Sequence, residues 1–171
     1  MNDIETKISN LKKDTFEAAY KESLIISNFD KQVIGKLIPI GKWILSDNKK
    51  IKNLTLWREK NMKFFFSQFK SSHDRTVWYL ENLSINKKNR ILFLIYTEEN
   101  EFVGHIGLAD IFKDSAFLDN LIRGKSSGNS KLIYFSIITL INWFFKNFDI
   151  NKVNEKIISY NWLAISLHED I

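Results

Sequence analysis

The chain has 171 residues, which is enough for one compact domain with a substantial hydrophobic core. It contains no cysteine, and this excludes a disulfide framework, a zinc–thiolate site and a cysteine nucleophile. The net charge is +5, and the lysines are scattered along the chain. Scattered lysines are more typical of a solvated surface than of a nucleic-acid-binding stripe, so we expect no nucleic-acid partner.

The amino-terminal stretch is polar and mixed in charge, which is not the pattern of a signal peptide. Apolar side chains from Ile4 to Leu24 form a broken stripe with helical spacing, interrupted between Leu11 and Phe16, and we extend this helical stretch to about residue 28. We therefore predict a helical extension over residues 1–35, ahead of a main domain over residues 36–171.

The main domain opens with a predicted strand and two predicted helices. Lys36 to Leu45 is mostly apolar and is the candidate for the first strand. Ser46 or Asp47 can cap a first helix that runs through Trp57 and Arg58. A second helix is expected next, with these residues as its cap and apolar side: Ser72, Val77, Trp78, Leu80 and Leu83.

Two strands are predicted in the middle of the chain. Ile91 to Tyr96 is continuously apolar, which indicates a strand buried on both faces. A polar turn leads into the second strand, Phe102 to Phe112, where Gly104 and Gly107 indicate a bulge or a close backbone approach.

Two titratable residues lie within predicted strands. Strand alternation places His105 on the same face as Val103. A lone histidine in a strand is more often structural than catalytic, and both interpretations of His105 stay open. In the next strand, Ala116 to Ile122, alternation places Asp119 and Asn120 on opposite faces. A carboxylate inside an apolar strand is costly unless it is paired or functional, so Asp119 is either salt-bridged at the sheet edge or part of a site.

The sequence RGKSSGNS, residues 123–130, joins this strand to a long apolar helix. Small residues let successive N–H groups point into one concavity, to which the helix adds its positive end, so the loop suits an anion such as a phosphate. An ordinary strand–helix connection is the alternative. A Walker loop is excluded, because Asp119 stands where that motif requires glycine. The apolar run of the helix, residues 132–145, is too short to span a bilayer, so we expect a soluble cytoplasmic protein with no membrane partner.

Two short motifs in this order resemble those of the GNAT N-acyltransferase superfamily. Its acetyl-CoA loop, Gln/Arg-x-x-Gly-x-Gly/Ala, is similar to K-S-S-G-N-S from Lys125, with Gly128 in the central position, or to R-G-K-S-S-G from Arg123. After the main helix and a further predicted strand, Asn151 to Tyr160, the family has Asn-x-x-Ala-x-x-Leu-Tyr. The chain has N-W-L-A-I-S-L-H there, so His168 takes the place of the tyrosine.

The resemblance implies an α/β (α+β) fold: a mixed, mainly antiparallel sheet with splayed strands, flanked by helices. Family members continue beyond the terminal helix with two further strands, whereas this sequence ends at Ile171. We therefore expect a domain that lacks the last two strands of the family.

The resemblance also implies roles for individual residues. Catalytic candidates are Asp119 and His105 as the base that deprotonates an ammonium group, and His168 as the acid that protonates the departing CoA thiolate. Acceptor-binding candidates are Trp57, Arg58 and Asn120. No metal is expected. The candidates for holding acetyl-CoA are Leu121, Ile122, Arg123, Gly124, Lys125, Ser126, Ser127, Gly128, Asn129, Ser130 and Asn161.

The expected function is transfer of an acetyl group from acetyl-CoA to a primary amine. The acceptor stays open among a nucleotide-linked amino sugar, a protein N-terminus, a polyamine and another small amine, and a homodimer stays open as well. The alternatives are a non-catalytic acyl-CoA-binding protein of the same fold and, ranked lowest, a basic nucleic-acid-binding module.

Overall fold

The computed structural model describes residues 3–169 and residue 171. Its centre is a six-stranded sheet whose strands lie side by side in chain order. Every neighbouring pair is antiparallel except the last, which is parallel, so the predicted mixed, mainly antiparallel sheet is confirmed. The strands are β1 (Leu24–Ser27), β2 (Val33–Pro39), β3 (Ile91–Thr97), β4 (Phe102–Ala109), β5 (Ala116–Arg123) and β6 (Val153–Asn154).

Helices cover both faces of the sheet. The α-helices are α1 (Asp3–Leu11), α2 (Phe16–Lys21), α3 (Asn48–Lys60), α4 (His73–Tyr79), α5 (Leu132–Asn147) and α6 (Trp162–Glu169). A π-helix, Leu80–Ile85, extends α4 directly, and short 3-10 turns lie at Lys42–Ser46 and Met62–Phe64. Within the described part of the chain, no helix has the length and apolar character needed to cross a membrane.

The helical prediction for the amino-terminal stretch is correct for α1 and α2 and wrong for Leu24–Ser27, which is an edge strand paired with β2. The candidate first strand, Lys36 to Leu45, begins inside β2 and overruns it, because the chain turns after Pro39 into a 3-10 helix. The cap predictions are confirmed. The side chain of Asp47 accepts a hydrogen bond at the start of α3, and Ser72 does so at the start of α4.

The alternation of β3 explains why the sheet needs helices on both sides. Ile91, Phe93 and Ile95 pack into a core with α1 and α5, whereas its even-numbered residues pack into a second core with α2 and α3. All seven residues of β3 are buried, as predicted.

The amino-terminal helices are fixed to the rest of the molecule. Ile8 is fully buried in the core under α5. Lys12 Nζ donates hydrogen bonds to the carbonyl oxygens of Ser84 and Ile85, at 2.7 and 3.1 Å, near the end of the π-helix. Burial, and then the charge of Arg90, lower the pKa of Lys12 to about 8. The lysine thereby ties the amino-terminal segment to the π-helix.

Strands β5 and β6 pair at only two positions. Ala116 and Phe117 lie opposite Val153 and Asn154, and within the described residues β5 has no further partner on that side. The predicted strand Asn151 to Tyr160 is therefore wrong beyond two residues. Its second half turns away to start α6, where the side chain of Asn161 accepts the Ala164 N–H. The sheet opens along β5, as expected for splayed strands.

Candidate functional site

An extra residue in β4 determines where His105 lies. Phe102 and Gly104 face consecutive residues of β3, which leaves Val103 as a bulge. Val103 packs in the core under α5, whereas His105 lies on the α3 side. The prediction that these two residues share a face is wrong, because a bulge interrupts the two-residue period of a strand.

A second bulge, in β5, brings Asp119 and Asn120 to the same face. The β5 partners of His105 and Gly107 are three residues apart instead of two, and Asn120 has φ of 52°. Asparagine is one of the few residues that tolerate this left-handed conformation. The prediction that Asp119 and Asn120 lie on opposite faces is therefore wrong, because Asn120 is the inserted residue.

Hydrogen bonds hold the second bulge against the helices. Asn120 Nδ2 donates to the Tyr79 hydroxyl oxygen at 2.8 Å and also to Asp119 Oδ2. Arg90 Nη2 lies 3.4 Å from Asp119 Oδ2. The carboxylate thus has a fixed position at the point where the sheet opens.

The residues that the two bulges orient, His105, Asp119 and Asn120, line one cavity of about 540 Å³ on the α3 side of the sheet. Four of the predicted site residues line it: Arg58, His105, Asp119 and Asn120. Helices α3 and α4, the π-helix and the phenylalanine-rich segment 65–71 form its other walls. The remaining lining residues are Leu54, Phe65, Phe66, Ser67, Phe69, Ser71, Arg75, Thr76, Trp78, Tyr79, Leu80, Leu83, Arg90 and Leu92.

Burial keeps two titratable groups of the cavity neutral. His105 is only 5% exposed, and burial lowers its pKa to about 4 although the backbone of Asn120 favours the charged form. Among the described residues, its Nδ1 has no hydrogen-bond partner. Burial, and then the charge of Asp119, raise the pKa of Tyr79 to about 12. At neutral pH the cavity therefore holds an uncharged imidazole and a protonated phenol.

The structure places Trp57 in the core instead of in the cavity. It is 5% exposed and its ring centroid lies 4.7 Å from that of Phe102. A Cβ atom on Gly124 would come within 2.0 Å of the Trp57 ring. Trp57 thus supports the start of the loop after β5, and Gly124 is the residue that permits this close approach.

The Arg123 loop, residues 123–131, is organised around the guanidinium of Arg123. Its Nε donates to the carbonyl oxygen of Lys125 at 3.0 Å, and its Nη2 donates to that of Ser126 at 2.9 Å. Further bonds reach the carbonyl oxygens of Ser127 and Ser130 at 3.3 and 3.2 Å. The loop thus folds around one cation, the guanidinium group of its own first residue.

The same carbonyl arrangement directs N–H groups outward. In a trans peptide, the C=O of one residue and the N–H of the next point in opposite directions. Carbonyl groups that face Arg123 therefore turn the N–H groups of Ser126, Ser127 and Gly128 away from it. Gly124 and Lys125 cannot contribute, because both donate to the carbonyl oxygen of Val103. These three N–H groups and the start of α5 can offer positive ends to an anion.

Gly128 adopts a conformation and a position that suit glycine alone. Its φ is +80°, and a Cβ there would lie 2.6 Å from Cγ2 of Thr97. Beside it, Lys125 forms an ion pair with Glu101 at 2.7 Å. The loop is thus packed against the turn between β3 and β4, which fixes the direction of its N–H groups.

The two remaining regions of predicted site residues are the open edge of β5 and α6. Ile122 is buried opposite His105, and Leu121 packs towards the core under α5. His168 does not line the cavity. Its Nδ1 lies 2.6 Å from Glu155 Oε2, while burial lowers the pKa of His168 and raises that of Glu155. This contact fixes the imidazole ring and leaves its Nε2 as the nitrogen available to another group.

Sequence reasoning missed three ionisable residues of the cavity: Arg75, Tyr79 and Arg90. The helical spacing of Thr76, Tyr79 and Leu80 was the available signal for Tyr79. The predicted apolar side of α4 is partly wrong, since Trp78 is 57% exposed. Leu80 and Leu83, in the π-helix that continues α4, line the cavity together with this exposed tryptophan.

Comparison with known proteins gives matches in structure only. Neither a protein-family model nor a curated protein sequence matches the chain. A probable acetyltransferase of the GNAT family from Chromobacterium violaceum matches with a TM-score of 0.66 at 10% identity, over 86% of this chain and 72% of that one. An acetyltransferase from Salmonella typhimurium that modifies the N-terminal serine of ribosomal protein L7/L12 matches with a TM-score of 0.65 at 14% identity, over 86% and 82%.

A spermidine N-acetyltransferase from Vibrio cholerae, solved in complex with CoA and spermine, matches with a TM-score of 0.63 at 20% identity. That match covers 78% of this chain and 77% of the other. Together with the sheet that opens between β5 and β6, these likenesses confirm the predicted resemblance at the level of the fold. The chain has the fold of the GNAT acetyltransferases.

Proposed function

We propose that the chain transfers an acetyl group from acetyl-CoA to a primary amine. The observation that carries the proposal is the position of the bulge at Asn120. It sets Asp119 where β5 leaves β6, with the cavity on one side and the Arg123 loop at the end of the same strand. A donor bound along the open strand and an acceptor in the cavity would meet there.

Acetyl-CoA would bind along the open edge of β5 and in the Arg123 loop. The outward N–H groups from Ser126 to Gly128 suit the pyrophosphate oxygens, and the positive end of α5 adds to their attraction. Backbone groups at Leu121 and Ile122 would pair with the pantetheine arm, since among the described residues no strand neighbours β5 on that side there. Asn161, at the start of α6, is the proposed contact on the other side of the opening.

The reaction needs one proton removed and one supplied. The amine nitrogen must lose a proton before it attacks the thioester carbonyl, and Asp119 is the proposed base, directly or through water. His105 is the second candidate, although its pKa of about 4 makes it the weaker base. As the C–N bond forms, the carbonyl oxygen becomes an oxyanion, which a backbone N–H near Leu121 would stabilise. The C–S bond then breaks, and His168 in its imidazolium form, which carries a proton on Nε2, would protonate the thiolate; burial lowers the pKa of His168, so this form is the minor one at neutral pH.

The structural neighbours support an amine acceptor without identifying it. The neighbour from Salmonella typhimurium modifies the N-terminal serine of a ribosomal protein, and the neighbour from Vibrio cholerae is a spermidine N-acetyltransferase. A non-catalytic acyl-CoA-binding protein of this fold is the alternative. It predicts acetyl-CoA binding without release of CoA in the presence of any amine.

The test is calorimetry with acetyl-CoA together with an assay of CoA release, on the wild type and on Gly128→Val. A valine at φ +80° would be strained and would collide with Thr97, so the N–H groups of the loop would move. We expect acetyl-CoA affinity to fall by at least about tenfold, or about 1.4 kcal/mol. A circular-dichroism spectrum of the variant controls for folding. Equal affinity in a folded Gly128→Val protein would contradict the proposed binding mode.

A further inference from the structure

The cavity carries an excess of positive charge. Three arginines, Arg58, Arg75 and Arg90, line it, against a single carboxylate, Asp119. Arg90 is paired with that carboxylate. Among the residues that the structure describes, no carboxylate oxygen lies within 4.0 Å of the nitrogens of Arg58 or Arg75. Arg58 and Arg75 therefore have no ion-pair partner at this distance, although the charge of Asp119 acts on Arg58 from farther away.

Arg58 is the more constrained of the two. Its guanidinium carbon lies 3.6 Å from the ring centroid of Phe65 and 4.9 Å from that of Phe69. One nitrogen donates to the carbonyl oxygen of Ser67 at 2.8 Å, whereas Nε is buried and has no partner among the described residues. Burial lowers the pKa of Arg58, which means that its surroundings disfavour the charge. A half-buried guanidinium in this condition gains free energy when an anion reaches it.

Arg75 approaches the same aromatic ring from α4. Its guanidinium carbon lies 5.2 Å from the ring centroid of Phe69, and Nη1 donates to the carbonyl oxygen of Lys70 at 3.1 Å. Each guanidinium has five N–H donors, so most donors of Arg75 are available. Arg58 and Arg75 thus flank Phe69 at one end of the cavity, and Asp119 lies at β5.

We infer that the cavity takes a primary amine that also carries an oxyanion, a carboxylate or a phosphate, on an apolar or planar body. Arg58 and Arg75 would bind the oxyanion, the rings of Phe65 and Phe69 would contact the body, and the amine would reach Asp119. A polyamine fits this cavity poorly, because its several positive charges would face uncompensated arginines. The inference rests on the proposed function for the role of the amine, whereas the binding of the anion can be measured without it.

The first test measures probe binding by calorimetry, with CoA present to occupy the Arg123 loop. The probes are phenylacetate, phenyl phosphate and phenethylamine, which share a ring and differ in charge. We expect at least one anion to bind at least about tenfold more tightly than phenethylamine, as charge-assisted hydrogen bonds to a desolvated arginine imply. The anion preferred distinguishes a carboxylate acceptor from a phosphate acceptor.

Arg75→Gln is the decisive variant, because Arg75 is exposed and its loss should leave the fold intact. It should reduce the preference for the anion by about tenfold or more. Lys52→Gln is the matched control: it removes the same charge from an exposed position of α3 that does not line the cavity. It should leave the preference unchanged. A wild-type protein that binds neither anion better than phenethylamine, or an Arg75→Gln protein with an unchanged preference, would overturn the inference.

The second test separates this inference from the proposed function. CoA release is measured with two matched pairs of amines, phenylalanine against phenethylamine and glucosamine 6-phosphate against glucosamine, and with spermidine. Preference for the anionic member of a pair, lost in Arg75→Gln, supports both proposals. Acetylation of neutral amines or spermidine in preference to anionic ones keeps the acetyltransferase and overturns the anionic acceptor. Absence of both acetyl-CoA binding and transfer would overturn the proposed function, while the calorimetry with probes would still decide whether the cavity binds an anion.

Discussion

The Arg123 loop and the cavity are built in opposite ways. The loop consists of nine consecutive residues that fold around the side chain of Arg123, so its structure is local. The cavity gathers side chains from α3, α4, β4 and β5, and two bulges and a π-helix determine which of them point inward. A local structure leaves a motif in the sequence, whereas a structure assembled from distant segments depends on irregularities that leave almost none.

The largest effect that we expect is a loss of turnover from a substitution in the cavity that leaves acetyl-CoA binding at the Arg123 loop unchanged. Asp119→Asn should lower the turnover number by about 10²–10⁴, the usual contribution of general base catalysis, and leave acetyl-CoA affinity unchanged. Asp110→Asn is the control, since Asp110 is exposed just beyond β4. The measurement is steady-state CoA release together with calorimetry. A turnover number equal to that of the wild type would remove Asp119 from the mechanism.

A smaller loss of turnover is expected when His168, in α6, is substituted. His168→Phe should reduce turnover by about 10², the lower end of the range for general acid catalysis, at constant acetyl-CoA affinity. His168→Tyr should restore part of the rate and move the alkaline limb of the pH profile upward, since a phenol has a reference pKa of about 10.

Tyr79→Phe is the companion variant, because Tyr79 is the protonated group that lines the cavity beside Asn120. Full activity in the His168→Phe enzyme and a loss in Tyr79→Phe would transfer the acid role to Tyr79. Full activity in both would leave the proton to be supplied by water.

The sequence predicts the parts of the fold that follow regular periods. The buried β3, the caps Asp47 and Ser72, and the long helix α5 all appear where their patterns indicate. The edge strand Leu24–Ser27 was missed because its first residue, Leu24, continues the helical spacing of Phe16, Ala19 and Tyr20. The pairing of β5 with β6 is only two residues long, which is too short to leave a pattern of its own.

Prediction of the site fails at the irregular positions. Alternation is the only guide to strand faces in a sequence, and one inserted residue reverses it, as at Val103 and Asn120. Arg58 could be proposed from the resemblance, whereas Arg75 and Tyr79 belong to α4 and no motif in the sequence marks them as cavity residues. In the sequence Trp57 resembles an acceptor-binding residue, but in the structure its ring packs against Gly124 in the Arg123 loop.

Because the loop folds around Arg123, we expect the loss of this arginine to weaken acetyl-CoA binding more than the loss of Lys125, which carries the same charge. Arg123→Met removes the donors that bind five carbonyl groups, and we expect acetyl-CoA binding to weaken by about 2 kcal/mol. Lys125→Met removes an exposed ion pair with Glu101, and such pairs contribute little. Calorimetry on both variants measures the difference. Equal losses would show that the loop attracts CoA by its charge and that its folded shape does not matter.

The last expected effect, of similar size, concerns the free energy of unfolding of the chain in acid. The pKa of His105 is about 4 in the folded chain and about 6.5 in an unfolded one. Between these values the unfolded state binds more protons, so the free energy of unfolding rises as the pH rises from 4 to 6.5 and falls as the pH is lowered. We expect His105 to account for about 2 kcal/mol of this change. Urea unfolding across that range should show a shallower dependence in His105→Phe, and an identical dependence would mean that His105 titrates normally.

Hydrogen–deuterium exchange in the presence and absence of acetyl-CoA tests the central claim most directly. The account predicts slower exchange of the amides from Ser126 to Gly128 and of those at Leu121 and Ile122 when acetyl-CoA is saturating. The amides of β1, which lies at the far edge of the sheet, should not change. Unchanged exchange throughout the Arg123 loop and along β5, or protection confined to other segments, would contradict the claim that acetyl-CoA binds where the sheet opens.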